Sequence, residues 1–272
     1  MCVSVSTRTT STLDFVEAFV AAAERFAIGV ASVDLRAPVP ACPTWSAYDL
    51  AVHLGNIHSW AATIVETGAR AVEQNDAPRS RRPAVVSEWY AGKAEDLYEV
   101  LRTAAPDSPC WNFAGVEMTA RFWPRRQAHE TTMHLVDLDQ AGGRTTDLRP
   151  LLCTDGIAEV LEVFLPRMHA RGHVAELSAP LTLRATDTDH VWTFTPRTDA
   201  APMVAVRTEP GADLVEGPAA ELWKLLWKRA AAPGSPGVAA QRGAPPTLAP
   251  AAVSYVGNAG RISAFMSSRI TA

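Results

Sequence analysis

The sequence predicts an α+β protein of two domains: a four-helix bundle over residues 1–175 and a small α/β sandwich-like domain over residues 176–272. Apolar residues recur at intervals of three or four as far as Gln140, which is the period of helices that face a core. From Leu181 the period shortens to that of strands. A length of 272 residues also favours about two domains.

The first predicted helix covers residues 13–31, where Phe15, Phe19 and Phe26 recur on one side. A proline-rich connector, residues 37–43, follows it. Because proline has no amide donor, this connector is expected to form neither a helix nor a central strand.

The second predicted helix covers residues 47–69. Ser46 and Asp49 precede and open it with the spacing of a capping box. Its apolar stripe contains one ionisable residue, His53, which must therefore point toward the core. For a single inward histidine, a hydrogen bond within the core is the commoner explanation, since buried polar groups need partners.

Two more long helices complete the predicted bundle, over residues 85–103 and 118–140, and the glycines at 142–143 end the second of them. A further helix is predicted over residues 155–170. Pro166 is expected to kink or end that helix because it removes a backbone hydrogen bond.

The second domain is predicted from short β-type segments and one helical segment. The predicted strands cover residues 181–185, 191–194, 203–206 and 252–256, and the helix covers residues 218–230, with another short helix near the C-terminus. The Ala/Pro/Gly-rich residues 231–250 are expected to be a loop or a flexible insert.

Composition excludes several classes of function. The net charge is −4 and basic residues gather nowhere, so a nucleic acid is not an expected partner. No apolar run approaches the roughly 18 residues that cross a bilayer, and no signal peptide is recognised, so a membrane is not expected either. The cysteines form no C-x-x-C pair and are expected to be free thiols in a reducing cytoplasm: Cys2, Cys42, Cys110 and Cys153.

One group of three residues predicts a metal-binding site. Glu130 and His134 are four residues apart and share one helix face. With His53 from a neighbouring helix they make the two-histidine, one-carboxylate set of catalytic zinc with an open fourth position. A structural hydrogen bond between helix neighbours is the alternative for Glu130 and His134. Asp137 lies on the same side and is expected to orient a ligand, unless it is an exposed helix acid.

A zinc-protease motif does not account for these residues. That motif needs two histidines four residues apart, whereas His129 and His134 are five apart and point in different directions around the helix.

Two N-terminal motifs resemble those of the mycothiol-dependent maleylpyruvate isomerase family, whose N-terminal part is similar to the DinB-like four-helix bundle. They are Trp45-Ser46-x-x-Asp49-Leu50-x-x-His53-Leu54-Gly55-x-x-His58-x-Trp60 and Arg126-x-x-His129-Glu130-x-x-x-His134-x-x-Asp137. The resemblance implies that His53, Glu130 and His134 bind zinc, or a similar divalent metal, and that mycothiol is the thiol cosubstrate. The other histidines do not inherit this role.

A third, C-terminal motif is similar to the Leu-Trp-Gly-Arg element of that family: Leu222-Trp223-x-Leu225-Leu226-Trp227-Lys228-Arg229. The resemblance implies that Arg229 faces the active site and binds a carboxylate of the substrate or the thiol, for which a guanidinium is suited. Lys228 replaces the usual glycine, and the loop after it is more rich in proline and alanine than is usual in the family.

These observations predict an enzyme with a small-molecule substrate and a low-molecular-weight thiol as partners. Transfer of the thiol to an electrophilic metabolite is the first hypothesis, because the departures near Arg229 lie where substrate specificity varies. Cis–trans isomerisation of a maleylpyruvate-like diacid is the alternative, with Arg229 and Arg126 as cationic anchors. A metal-dependent hydrolase and a non-catalytic, metal-stabilised binding protein remain further alternatives.

Overall fold

The computed structural model describes residues 13–197, 202–205, 211–230 and 253–271, and within them the fold is α+β. The helices are α1 (Phe15–Ser32), α2 (Ala47–Thr67), α3 (Pro83–Thr103), α4 (Phe122–Ala141), α5 (Pro150–Glu159), α6 (Leu165–Ala170), α7 (Ala219–Leu226) and α8 (Ala259–Ser267). The strands are β1 (Pro38–Val39), β2 (Cys42–Ser46), β3 (Leu181–Ala185), β4 (His190–Thr195), β5 (Met203–Ala205), β6 (Asp213–Gly217) and β7 (Ser254–Val256).

The first four helices pack on one another in a closed cycle of contacts. Helix α1 packs against α3 and α4, and α2 packs against the same two helices. Their shared core contains fully buried side chains such as Phe19, Phe26 and Leu50. Gly55 permits the close contact between α2 and α3, because a Cβ atom there would meet the ring of Trp89 at 2.4 Å. Helices α2 and α4 also contact each other directly.

Helix α2 begins at Ala47, as its sequence predicts, and ends at Thr67, two residues before the predicted end. The Ser46 hydroxyl accepts a hydrogen bond from the Asp49 amide at 3.3 Å, and the Asp49 carboxylate accepts one from the Ser46 amide at 2.9 Å, which confirms the capping box. Gly68 ends the helix with φ of 68°, in the left-handed region that glycine adopts easily.

The proline-rich connector forms structure that its sequence did not predict. Strands β1 and β2 pair antiparallel as a two-stranded ribbon. Both are edge strands, where a missing proline amide costs no ladder hydrogen bond. The ribbon leads straight into α2 and brings Cys42 and Trp45 to the cavity described below.

The helix predicted over residues 155–170 starts earlier and is not ended by Pro166. It begins at Pro150, and the π-helical segment Val160–Phe164 separates α5 from α6. Proline supplies no amide for the preceding turn, and a π-turn relieves that loss without breaking the helix. The π-turn also rotates the following residues relative to the face that a regular helix would present.

The C-terminal strands β3–β7 form one mixed sheet in the order β5-β4-β3-β6-β7. Strand β3 runs parallel to β6, and the other neighbours are antiparallel. Helix α7 packs on β3 and β6, while Phe265 of α8 meets Phe194 with ring centroids 4.8 Å apart. Strand β6 was missed because its sequence, DLVEG, is only five residues long and does not alternate apolar and polar residues. The residues predicted as an insert, 231–250, lie outside the described residues.

The described parts of the chain also bear on the predicted compartment. Within them, no helix combines the length and the apolar character that crossing a membrane requires. Cys42, Cys110 and Cys153 are free thiols, and Cys2 lies outside the described residues.

Candidate metal centre

Three of the predicted site residues meet between α2 and α4. One potential ligand atom from each of His53, Glu130 and His134 lies within 4.8 Å of the other two. The Oε1 atom of Glu130 is 3.2 Å from Nε2 of His134 and 4.0 Å from Nε2 of His53. The three side chains thus face a common centre. Two imidazoles and one carboxylate are a donor set that suits zinc.

Asp137 fixes the orientation of the His134 ring. Its Oδ2 atom is 2.9 Å from Nδ1 of His134, so this nitrogen donates a hydrogen bond and the lone pair of Nε2 faces the centre. Asp137 is fully buried, which excludes the alternative that it is an exposed helix acid. Arg229 holds the same carboxylate, donating from Nε at 2.9 Å and from Nη2 at 2.8 Å.

Arg126 holds Glu130 in a similar way. Its Nη2 donates to Oε2 of Glu130 at 2.6 Å, while its Nη1 donates to the buried carboxylate of Glu159. One oxygen of Glu130 is therefore occupied by a guanidinium, and the other faces the two imidazoles. Such an arrangement leaves Oε1 available to a cation.

Burial and neighbouring charges shift the pKa of each of the three residues. Burial and the nearby His134 lower the pKa of His53 to about 4, so this imidazole is neutral at pH 7. Burial opposes the charge of Glu130, but Arg126 and His134 hold its pKa well below the usual range. Burial likewise opposes protonation of His134, yet hydrogen bonds to Asp137 and Glu130 raise its pKa to about 9. A metal ion would replace that proton.

The centre lies in the wall of a cavity of about 870 Å³. Six aromatic side chains line this cavity: Trp45, Trp60, Trp111, Phe113, Phe164 and Trp227. Four arginines also line it: Arg70, Arg126, Arg167 and Arg229. The Trp45 ring packs on His53 with centroids 4.6 Å apart. The cavity is thus large enough for a drug-sized ligand and combines apolar walls with a few cationic groups.

Comparison with known proteins finds a similarity in the helical part of the chain. Residues 16–139 match the family described as mycothiol maleylpyruvate isomerase N-terminal domain. The match covers less than half of the 272 residues, so it is a similarity of this segment to that domain. The matched segment contains all three residues of the candidate centre, whereas Arg229 lies beyond it.

Two solved structures share the fold of a larger part of the chain. One, a crystal structure of the mycothiol-dependent maleylpyruvate isomerase, aligns with a TM-score of 0.57 and 14% identity and covers 85% of this chain and 95% of that chain. A mutant of the same enzyme aligns with a TM-score of 0.56 and 13% identity, covering 78% and 86%. No curated protein matches the sequence significantly.

The other two histidines of the matched segment have partners elsewhere in the core. Nε2 of His58 is 3.1 Å from the Thr131 hydroxyl, and Nε2 of His129 is 2.7 Å from Asp155. Both rings are fully buried. The single-histidine explanation considered for His53, a hydrogen bond within the core, therefore describes His58 well.

Several cavity residues gave no usable signal in the sequence. Phe164 and Arg167 were missed because the π-turn of Val160–Phe164 changes which residues share a face. Phe113 lies in a loop whose approach to the cavity depends on tertiary contacts. The predicted residues Arg126, Asp137 and Arg229 do lie beside the centre, and their roles toward a ligand stay predictions.

Proposed function

We propose that this protein is a mycothiol-dependent enzyme that holds one divalent metal ion, preferably zinc, with His53, Glu130 and His134. The observation that carries the proposal is the convergence of these three ligand atoms in the wall of a large cavity, within a segment similar to the mycothiol maleylpyruvate isomerase N-terminal domain. Asp137 acts on the centre by orienting His134.

The proposed reaction is cis–trans isomerisation of a maleylpyruvate-like diacid. When bound, the cation would lower the pKa of the thiol, and the thiol would supply a nucleophile that adds reversibly to a carbon–carbon double bond. The names of the similar proteins support isomerisation over thiol transfer, which the sequence alone had put first.

The residues of the chain itself would position the reactants and limit access of water. Arg229 and Arg126, which line the cavity, are proposed as substrate-binding groups, and Arg229 as a catalytic residue that contacts the substrate. Both already hold carboxylates, Asp137 and Glu130, so they would offer their remaining N–H groups to the substrate. The aromatic walls exclude water from the reacting atoms and strengthen these polar contacts.

Thiol transfer to an electrophilic metabolite is the second candidate. Lys228 stands directly before Arg229 where the family element has glycine, and its amine donates to the carbonyl oxygen of Met266. A different residue at this point can change the space that is left for the substrate. The hydrolase and the non-catalytic alternatives use the same three ligands and are separated by the experiment below.

The proposal extends to the domain architecture. We propose that α1–α4 form a DinB-like four-helix bundle, within a first domain of residues 1–175, and that residues 176–272 form a separate α/β domain. The contacts among the four helices and the single mixed sheet support this division. The free thiols support a reducing, cytoplasmic environment.

The test is a steady-state assay of the zinc-loaded full chain with mycothiol and maleylpyruvate. We expect isomerisation that requires the thiol but leaves its concentration unchanged. Net consumption of the thiol would favour transfer, and turnover without any thiol would favour hydrolysis. Protein that binds no stoichiometric zinc would overturn the metal proposal and leave the binding-protein alternative.

A further inference from the structure

The four arginines of the cavity fall into two classes. Arg126 is buried and Arg229 is mostly buried, and both are bound to carboxylates, so their positive charge is balanced within the protein. Arg70 and Arg167 face the same cavity, yet no carboxylate of the described residues lies within ion-pair distance of either. The positive charge of the lining that has no carboxylate partner among the described residues therefore comes from Arg70 and Arg167, while Glu73 adds a negative charge to the same lining.

Arg167 is held in place without being neutralised. Its Cζ atom lies 4.8 Å from the centroid of the Phe113 ring, and its Nη1 donates to the carbonyl oxygen of Phe113. The side chain is half-buried at the start of α6. Burial and the neighbouring Arg171 lower the pKa of Arg167, since both oppose its positive charge. A bound anion would stabilise the charged form of Arg167 against both burial and the repulsion from Arg171.

Arg70 occupies the rim of the same wall. Its Cζ atom lies 5.7 Å from the centroid of the Trp111 ring, two residues from Phe113 along the chain. The backbone beside Arg70 is anchored: the Trp111 amide donates to the carbonyl oxygen of Gly68 at 2.9 Å, and the indole of Trp60 donates to that of Ala71 at 3.0 Å. Arg70 is nevertheless exposed, so its contacts with an anion would be weaker than those of Arg167.

Aromatic rings separate this pair from the metal centre. The Phe113 and Phe164 rings are 6.1 Å apart, with Arg167 over Phe113 and Arg126 over Phe164. A ligand that reaches both ends of the cavity would thus place one polar end near His53 and another near Arg167, with an apolar or planar part between the rings.

We propose that Arg167 and Arg70 form an anion-binding wall that holds a carboxylate of the electrophilic substrate, with Arg167 as the stronger contact. The identity of the electrophile rests on the proposed function. A planar carboxylate is favoured because a guanidinium fork can bind both of its oxygens. The two arginines would then select anionic electrophiles over neutral ones of the same shape.

The first test is titration calorimetry of the zinc-loaded full chain with maleate. We expect Arg167→Gln to weaken maleate binding at least about tenfold and Arg70→Gln about threefold. Arg149→Gln is the matched control, because Arg149 is an exposed arginine outside the cavity. Equal maleate affinity in all three variants would overturn the proposal, as would binding of inorganic phosphate in preference to maleate.

A kinetic test separates this proposal from the proposed function. In the isomerase assay we expect Arg167→Gln to raise the KM for maleylpyruvate while the KM for mycothiol and the zinc content stay as in wild type. Absence of thiol-dependent turnover in wild type would contradict the proposed function. The calorimetry would still test whether Arg167 and Arg70 form an anion-binding wall. If Arg167→Gln does not fold, the test rests on Arg70→Gln. If this variant binds maleate with the affinity and the salt dependence of wild type, the anion-binding wall is wrong.

Discussion

The helical part of the chain and the part beyond residue 142 contribute different things to the candidate centre. Helices α2 and α4 supply the three possible ligand atoms, those of His53, Glu130 and His134. Arg126 and Asp137 of α4 contact Glu130 and His134, and the C-terminal part supplies the counter-charges of these two residues, Glu159 for Arg126 and Arg229 for Asp137. The comparison teaches that a local helical motif can place the donor atoms and the groups that orient them, while the charges that balance those groups come from distant sequence.

Removal of a ligand should have the largest effect. We expect His53→Ala to lose stoichiometric zinc and thiol-dependent turnover, a loss larger than the roughly hundredfold that removal of an outer hydrogen-bond partner can cause. Metal analysis and the isomerase assay measure both. His190→Ala is the control, since His190 is an exposed histidine in the C-terminal sheet. Full zinc content in His53→Ala would show that the ligand assignment is wrong.

Asp137→Asn tests the link between the two parts. The amide keeps a hydrogen-bond acceptor for His134, but it removes the charge that Arg229 and His134 share. We expect zinc affinity to fall about 10- to 100-fold, measured by competition with a chelator. Asp139→Asn is the matched control on the same helix, because Asp139 binds Arg144 and Thr146 instead. An equal loss in both variants would mean a general defect of α4.

The ligand residues could be predicted from sequence, whereas most of their surroundings could not. Glu130 and His134 follow from helical spacing within α4, and His53 from the apolar stripe of α2. Arg229 was found only through resemblance, since spacing cannot relate residues of separate elements. Arg167 could not be predicted from sequence, because a single π-turn changes which helix face the residues after it occupy. Among fold elements, the helices with long periodic stripes were predicted well, and the short strands β1, β2 and β6 were not.

Buried His58 offers a pH test of the helical part alone. Burial lowers the pKa of His58 to about 3, so the unfolded chain binds a proton first as the pH falls below about 6.5. The folded state therefore loses stability in this range. We expect the free energy of unfolding of metal-free wild type, relative to His58→Gln, to fall by about 2 kcal/mol between pH 7 and pH 5. Urea unfolding at both pH values measures it. A constant difference would mean that His58 is not a buried neutral histidine.

Lys228 offers the matching test in the C-terminal part, with the smallest effect. Its φ of 62° lies in the left-handed region, where a Cβ atom costs about 1 kcal/mol and glycine is unstrained. Lys228→Gly and Lys228→Ala both remove the amine that reaches Met266, so only the Cβ atom differs between them. We expect the glycine variant to be more stable by about 1 kcal/mol in urea unfolding. An alanine variant of equal or greater stability would contradict the backbone argument, and Lys228 would then occupy the glycine position without strain.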